Sequence, residues 1–200
     1  MIGVHDFIIK SEFEFAQTFK TESGLELHGD ARFSAERLAN RIATVIETPL
    51  SIEDCEIKSG YQVMVDPTIF YQQDYVIGGQ MENNFMIDRA KGIFKISPDM
   101  IVLYRENEQA EWKGFRESLL VEMEKEIIPE VMAGPIVIKE QETKVSQIYA
   151  IVTHSNEKLK SEDVTSGDRI YIQPNYGVSF WIDGKEHSWI NNRHVLAKMN

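Results

Sequence analysis

Short runs of alternating apolar and polar residues recur along the chain, separated by turn-forming residues. Two stretches, 57–67 and 164–174, follow one pattern: a β-branched residue, Ser-Gly, two variable positions, two β-branched residues in alternation, and Pro. The alternation predicts half-buried strands, the glycine predicts a turn, and the proline ends the strand. Short strands spaced in this way predict a small all-β barrel or sandwich rather than a βαβ fold.

These two stretches are part of a longer internal repeat, and they lie 107 residues apart. Upstream, 41–46 matches 147–152 at an offset of 106. Downstream, 96–103 matches 190–197. Three blocks in the same order predict two tandem copies of one domain.

A polar, charged stretch separates the two copies. We therefore expect a first domain at 1–106, a linker at 107–116 and a second domain at 117–200. The alternative is a single sandwich whose two halves resemble each other by chance.

The repeated block carries recognisable motifs. In the second half, Gly-Asp-Arg-Ile-Tyr-Ile at 167–172, Asn-Tyr-Gly-Val at 175–178 and the closing stretch 190–198 resemble the GroES co-chaperonin family. In the first half, 57–65 and 98–103 resemble the same family, and Tyr-Val-Ile-Gly at 75–78 stands within a longer insertion. The resemblance covers about 5–105 and 117–199. It implies an all-β chain of two tandem GroES-like small β-barrel domains, each with a long mobile loop.

In that family, a short apolar tripeptide near a glycine, in the loop after the first strand, docks on the partner chaperonin. Here about 30 residues separate the strand 7–10 from the strand that starts at Arg41, far more than an ordinary connection. The resemblance implies chaperonin-binding residues in both halves: Ser23, Gly24, Leu25, Glu26 and Leu27 in the first, and Gly134, Ile136, Val137 and Ile138 in the second. Pro135 departs from the family's usual small residue. Without the resemblance to this family, both apolar stretches would be predicted to form ordinary strands.

The resemblance implies the function of a co-chaperonin. Such a protein forms a homo-oligomeric ring, binds a GroEL-type chaperonin, closes the cage around a client protein and modulates the ATP hydrolysis of the partner. Burying two or three Leu or Ile side chains gives roughly 1.5–3 kcal/mol each. Ordering a loop costs about 1–2 kcal/mol per residue, so a single loop binds weakly. Several loops on one ring bind by avidity, so we expect a ring.

Two features resemble the co-chaperonins of T-even-type bacteriophages. One is the Ser-Gly-Leu-x-Leu form of the first loop, and the other is the short connections 47–56 and 154–163, where the family usually carries a roof hairpin. Tandem copies also occur in chloroplast co-chaperonins, but nothing here resembles a transit peptide. Seven chains would form two tiers of domains, whereas three or four chains would form one pseudo-sevenfold ring.

The amino-acid composition limits which classes of partner and which cellular compartment we expect for this chain. The chain has 21 Lys and Arg against 32 Asp and Glu, a net charge of −11, so we expect no nucleic-acid binding. Apolar runs reach about five residues and a membrane span needs roughly 20, so we expect no membrane segment. With no secretory signal and a single cysteine, Cys55, we expect a cytoplasmic protein.

No motif for catalysis or metal binding competes with this interpretation. The histidines include no pair at zinc-motif spacing, so His187 and His194 are expected at the surface, and no serine elbow or phosphate loop exists. Glu122, Glu124 and Glu126 alternate, which predicts a solvated strand face.

GroES-like barrels also occur in zinc alcohol dehydrogenases, where a nucleotide-binding Rossmann domain accompanies them. This sequence has no Rossmann motif, so we expect no enzyme. We also expect no cofactor, because the partner chaperonin uses the ATP. The remaining alternative is a structural, virion or scaffold protein that reuses the barrel without binding a chaperonin. Trp181 and Trp189 are expected to face each other across a hairpin.

Overall fold

The described residues form strands joined by turns and two short helices. The computed structural model describes residues 3–11, 18–20, 23–28, 41–66, 68–71, 75–77, 80–128, 131–133, 136–139, 142–182 and 184–199. The chain divides into two compact units, Met1–Phe115 and Arg116–Asn200. The fold is all-β, as predicted.

The first unit is built around a seven-stranded sheet in the order β11-β10-β5-β4-β1-β9-β8. Two further pairs, β2 with β3 and β6 with β7, lie outside this sheet. A one-turn helix α1 (Thr68–Tyr71) follows β5, and a 3-10 turn (Pro98–Met100) precedes β10. The strands are β1 (Phe7–Lys10), β2 (Thr18–Lys20), β3 (Glu26–His28), β4 (Ile42–Glu47), β5 (Gln62–Val65), β6 (Tyr75–Ile77), β7 (Gln80–Glu82), β8 (Met86–Asp88), β9 (Ile93–Ile96), β10 (Ile101–Arg105) and β11 (Lys113–Gly114).

The second unit is built around a six-stranded sheet in the order β17-β18-β12-β15-β16-β19, and β13 pairs with β14 outside it. A short helix α2 (Glu157–Ser161) follows β15, and a 3-10 turn (Asn192–His194) precedes β19. The strands are β12 (Ser118–Ile128), β13 (Val131–Ala133), β14 (Ile136–Lys139), β15 (Glu142–His154), β16 (Arg169–Ile172), β17 (Val178–Ile182), β18 (Lys185–Asn191) and β19 (Val195–Lys198).

The two sheets share one strand order. The series β10-β5-β4-β1-β9-β8 in the first unit corresponds to β19-β16-β15-β12-β18-β17 in the second. The register agrees as well, since Ala43 lies opposite Val63 and Ala150 lies opposite Ile170. Ala150 follows Ala43 by 107 residues, and Ile170 follows Val63 by the same number. The expected offset of 106 for the upstream block is therefore wrong by one residue. A continuous apolar run permits such a slip, and the partner strand determines the register.

The Ser-Gly turn has the same geometry in both units. The Ser59 hydroxyl donates to the Ile46 carbonyl at 2.6 Å, and the Ser166 hydroxyl donates to the Thr153 carbonyl at 2.8 Å. The glycine after each serine has φ of 90° and 92°, in the left-handed region that only glycine adopts at little cost. The repeated Ser-Gly thus encodes one turn that joins equivalent strand pairs.

Each unit has its own apolar core, in which the alternating β-branched residues are buried. The first core consists of Phe7, Ile9, Ala43, Val45, Ile57, Val63, Val65, Ile69, Phe94, Ile96, Ile101, Tyr104 and Phe115. The second consists of Leu119, Val121, Ala150, Val152, Leu159, Val164, Ile170, Ile172 and Ile190. Every second residue of these strands enters the core, which is the reason that the sequence alternates.

The two units differ in their connections. Between β5 and β8 the first unit carries α1 and the β6–β7 hairpin, whereas 173–177 suffices between β16 and β17. The stretches 48–61 and 155–168, where the family's roof hairpin is usually found, are described throughout, and neither contains a strand.

The stretch expected to be a solvated linker contributes to the first unit. In it, β11 pairs with β10, and the Phe115 backbone N–H donates to the Val102 carbonyl at 3.1 Å. The Phe115 ring is buried and contacts the Phe7 ring edge-to-face at a centroid distance of 5.9 Å. One edge of the first sheet is thereby covered.

Two expectations about single side chains are wrong. His187 and His194 are buried rather than at the surface. Trp181 lies opposite Glu186 and Trp189 lies opposite Val178, so the two indoles do not face each other across the hairpin. With Ile182 opposite Lys185, the register pairs residues at equal distances from the turn, and the two tryptophans lie at unequal distances from it.

The buried His194 predicts a pH dependence of stability. Its ring stacks on Tyr176 at 4.1 Å, Arg193 Nε donates to its Nε2 at 3.2 Å, and its Nδ1 lies 3.3 Å from the Gln173 Oε1. Since Nε2 accepts, Nδ1 carries the proton and the ring is neutral. Burial first, and then the Arg193 charge, lower the pKa of His194 below its ordinary value of 6.5.

The unfolded state therefore takes up this proton at higher pH than the folded state does. The contribution of His194 to stability is complete above pH 6.5 and is lost as the pH falls toward the lower folded pKa. We expect the urea midpoint of the second unit to fall between pH 7.5 and 5.5, and to fall less in His194→Gln. Equal slopes in both proteins would contradict the assignment.

Candidate functional site

The residues predicted to bind a partner in the first unit lie at the end of a β-hairpin. In it β2 and β3 pair in antiparallel fashion, from Thr18 opposite His28 to Lys20 opposite Glu26. Glu26 and Leu27 belong to β3. The resemblance implies a long mobile loop at this place, and its described part contains a short ladder, which an alternating Leu-x-Leu pattern favours.

The tip of this hairpin is solvent-accessible. Ser23, Gly24 and Leu25 are exposed, and the Leu25 side chain retains 59% of its accessible surface. Gly24 has φ of 81°, so the turn requires a residue without a side chain. A large apolar side chain held on an exposed turn is available to a partner.

In the second unit the predicted residues lie on an equivalent hairpin. Ile136, Val137 and Ile138 belong to β14, which pairs with β13, and Ile136 lies opposite Ala133. Gly134 lies outside the described residues, as does Pro135. Consecutive β-branched residues favour a strand, which explains why this stretch pairs rather than forming an open loop.

Preformed hairpins alter the energetics of docking. An open loop loses about 1–2 kcal/mol of conformational entropy for each residue that binding orders. A paired hairpin has lost part of that entropy before it meets its partner, so less opposes binding. Each ladder is only three or four residues long, and an isolated two-stranded hairpin of this kind is marginally stable. The backbone of each hairpin is thus partly ordered before binding, and the short ladder can still change its conformation.

The second hairpin is carried by a long two-stranded ribbon. Beyond the sheet, β12 and β15 continue as partners from Lys125 opposite Val145 to Ile128 opposite Glu142. Val145 is exposed, as is Ile127, which retains 66% of its accessible surface. We call residues 125–145 the distal arm. Among its described residues, Ile127 and Val145 are apolar side chains exposed to solvent.

Ion pairs surround the base of the distal arm. Arg169 forms two hydrogen bonds with Glu124, Nε to Oε1 at 2.7 Å and the terminal nitrogen to Oε2 at 2.9 Å. Lys185 donates to Glu122 at 2.6 Å. These hydrogen bonds lower the pKa values of Glu124 and Glu122 below their ordinary value of 4.5. The alternating carboxylates are predicted to form a solvated face, and on that face two of them also bind specific cations.

Sequence reasoning missed these contacts because their members are far apart along the chain. Arg169 and Glu124 are 45 residues apart and come from different strands. A surface glutamate at alternating spacing carries no information about which cation faces it. A composition-based reading has no signal for such a pair.

The described residues include no group of three or more His, Cys, Asp or Glu side chains placed to hold a metal ion. In the part of the chain that the structure covers, no helix has the length and apolarity that crossing a membrane requires.

Comparison with known proteins bears on the second unit. Residues 111–199 match the family model described as chaperonin 10 Kd subunit. A comparison with curated proteins finds no match to this chain. The matched range coincides with the second unit apart from a few residues at its start. The match supports the GroES co-chaperonin family for that part of the chain.

Proposed function

We propose that this chain is a tandem co-chaperonin, a ring-forming lid that binds a GroEL-type chaperonin. The observation that carries the proposal is the family match of residues 111–199 to the chaperonin 10 Kd subunit. The first unit is included because its main sheet has the same strand order and register as the second. Shared register is a stronger argument for a repeated domain than shared composition, because a slip of one residue reverses every side chain.

In this proposal the hairpins dock on the chaperonin. Leu25 and Leu27 act in the first unit, and Ile136, Val137 and Ile138 act in the second. The lid closes the cage over a client protein and modulates the ATP hydrolysis of the partner. In the same proposal, the lid has no catalytic site and no cofactor of its own. It acts in the cytoplasm. The Ser-Gly-Leu-x-Leu tip favours a bacteriophage origin.

Ring formation is supported by a difference between equivalent edges of the two sheets. In the first unit β11 and Phe115 cover β10, and Val102 is fully buried. In the second unit β19 ends the sheet among the described residues, and Leu196, the counterpart of Val102, retains 53% of its accessible surface. An open edge with an exposed leucine is a template for strand pairing. We propose that a neighbouring chain occupies it.

A mass measurement tests the function directly. The purified protein is mixed with a bacterial tetradecameric chaperonin, with and without ADP, and the complexes are weighed by native mass spectrometry. We expect a nucleotide-dependent complex whose mass also gives the number of chains in the ring. A stable ring that binds neither this chaperonin nor that of its own host would contradict the proposal and favour the scaffold alternative.

A further inference from the structure

The distal arm is separated from the sheet by a break in the β12–β15 ladder. Met123 lies opposite Ala150, but Lys125, two residues further, lies opposite Val145. The strand β15 therefore carries extra residues at this point, which form a bulge. A bulge interrupts pairing and bends the strand locally. The arm and the sheet are thus joined by an irregular segment rather than by a continuous ladder.

The bulge is ordered by its own hydrogen bonds. Ser146 is buried, and its hydroxyl oxygen accepts from the backbone N–H groups of Ile148 and Tyr149 at 3.4 and 3.2 Å. These bonds replace ladder bonds that the bulge removes. The chain therefore follows a defined path through the break, so the arm has a preferred direction.

One side chain from a third strand contacts both β12 and β15 within the break. Arg169 of β16 binds Glu124, which lies on β12 between the last paired residue of the sheet and the first paired residue of the arm. The same guanidinium group lies over the Tyr149 ring at 4.5 Å, and Tyr149 is part of the bulge. Bidentate pairing and stacking on a ring both require the planar guanidinium group.

We propose that Arg169 is a positioning residue that holds the distal arm in one direction relative to the second sheet. The guanidinium group joins β12 and β15 where their own pairing fails, so it takes over the role of the missing ladder bonds. This inference concerns the arm itself. Its consequence for docking, a faster and tighter encounter with the chaperonin, rests on the proposed function.

At the position of Arg169, the described part of the first unit differs. The repeat places Gln62 at the position of Arg169, and Gln62 accepts a hydrogen bond from Arg105 Nε at 2.8 Å instead. A neutral amide forms no ion pair and no cation–π contact. The contact that Arg169 forms in the second unit therefore has no counterpart at Gln62 in the first.

Hydrogen exchange of the full-length protein tests the inference without any partner. Arg169→Gln should raise the exchange rates of amides 125–128 and 142–145 by roughly two- to fivefold, the range expected for a single exposed ion pair. Arg169→Lys should retain little of the protection, because an ammonium group lacks the two parallel N–H donors of a guanidinium group. Glu124→Gln should reproduce the effect of Arg169→Gln, since it removes the other half of the pair.

Lys185→Gln is the matched control. It removes an ion pair of similar exposure with Glu122, which lies on the sheet side of the break, so exchange in the arm should not change. Equal exchange in the arms of Arg169→Gln and Lys185→Gln would overturn the inference. Faster exchange throughout the second unit would also overturn it, because that result indicates a general loss of stability.

A second measurement separates this inference from the proposed function. If the chain binds a chaperonin, Arg169→Gln should lower the association rate by a few fold while the ring stays intact. If no variant binds a chaperonin, the proposed function fails, and the exchange measurement still decides whether Arg169 positions the arm.

Discussion

The double substitution Leu25→Asp and Leu27→Asp is expected to abolish chaperonin binding and to leave the ring intact. Each buried leucine contributes roughly 1.5–3 kcal/mol to docking, so the pair contributes about 3–6 kcal/mol per hairpin. The new carboxylates also lose hydration if the hairpin enters an apolar site. Because a ring binds through several hairpins at once, the loss is multiplied. Native mass spectrometry with ADP should detect rings and free chaperonin but no complex.

Leu50→Asp is the control for this experiment. Leu50 retains 67% of its accessible surface and lies on the connection between β4 and β5, outside the residues predicted to dock. The same change of an exposed leucine to a carboxylate should leave binding unaffected. Retained binding by the Leu25 and Leu27 variant would remove the first hairpin from the docking mechanism. Docking would then depend on the second hairpin alone.

Leu196→Asp is expected to dissociate the ring into single chains. If a neighbouring strand covers β19, the leucine is buried in the assembly and contributes roughly 1.5–3 kcal/mol to each contact. A carboxylate at that position adds a desolvation cost, and charged residues on an edge strand oppose pairing. Since every contact in a ring carries the same change, the assembly should be lost at micromolar concentration. Analytical ultracentrifugation measures this directly.

Leu196→Val is the matched control, because it installs the residue that the first unit has at the equivalent position, Val102. It keeps the edge apolar and should preserve the ring. Circular dichroism should show an unchanged β signal in both variants, since Leu196 is outside the core. A ring that persists in Leu196→Asp would show that β19 is not the contact between chains.

The fold was largely predictable because its signal is local and repeated. The strands β5 and β16 follow directly from alternation after Ser-Gly, and their inward residues are the β-branched ones. A repeat supplies the same evidence twice, so an error in one copy is visible in the other. The offset of the upstream block failed because a short apolar run fits two registers, and only the partner strand distinguishes them.

The candidate docking residues follow from the resemblance, and the hairpins that contain them were not predicted. The loop was implied by the resemblance and by the length of the connection after the first strand, and neither reveals whether the connection pairs with itself. In the structure, Leu27 and Ile136 belong to short hairpin ladders. Whether a long connection folds back on itself depends on turn geometry that the sequence specifies only weakly.

From the sequence alone came the all-β class, the prediction of a tandem repeat and the apolar candidates for docking, because alternation, turn residues and apolar tripeptides are local patterns. The tertiary structure decided which edges are covered, which histidines are buried and which cation holds Glu124. Those properties depend on contacts between strands, and Arg169 and Glu124, for example, are 45 positions apart. Pairing between distant strands follows from the register of the whole sheet, and no local pattern encodes it.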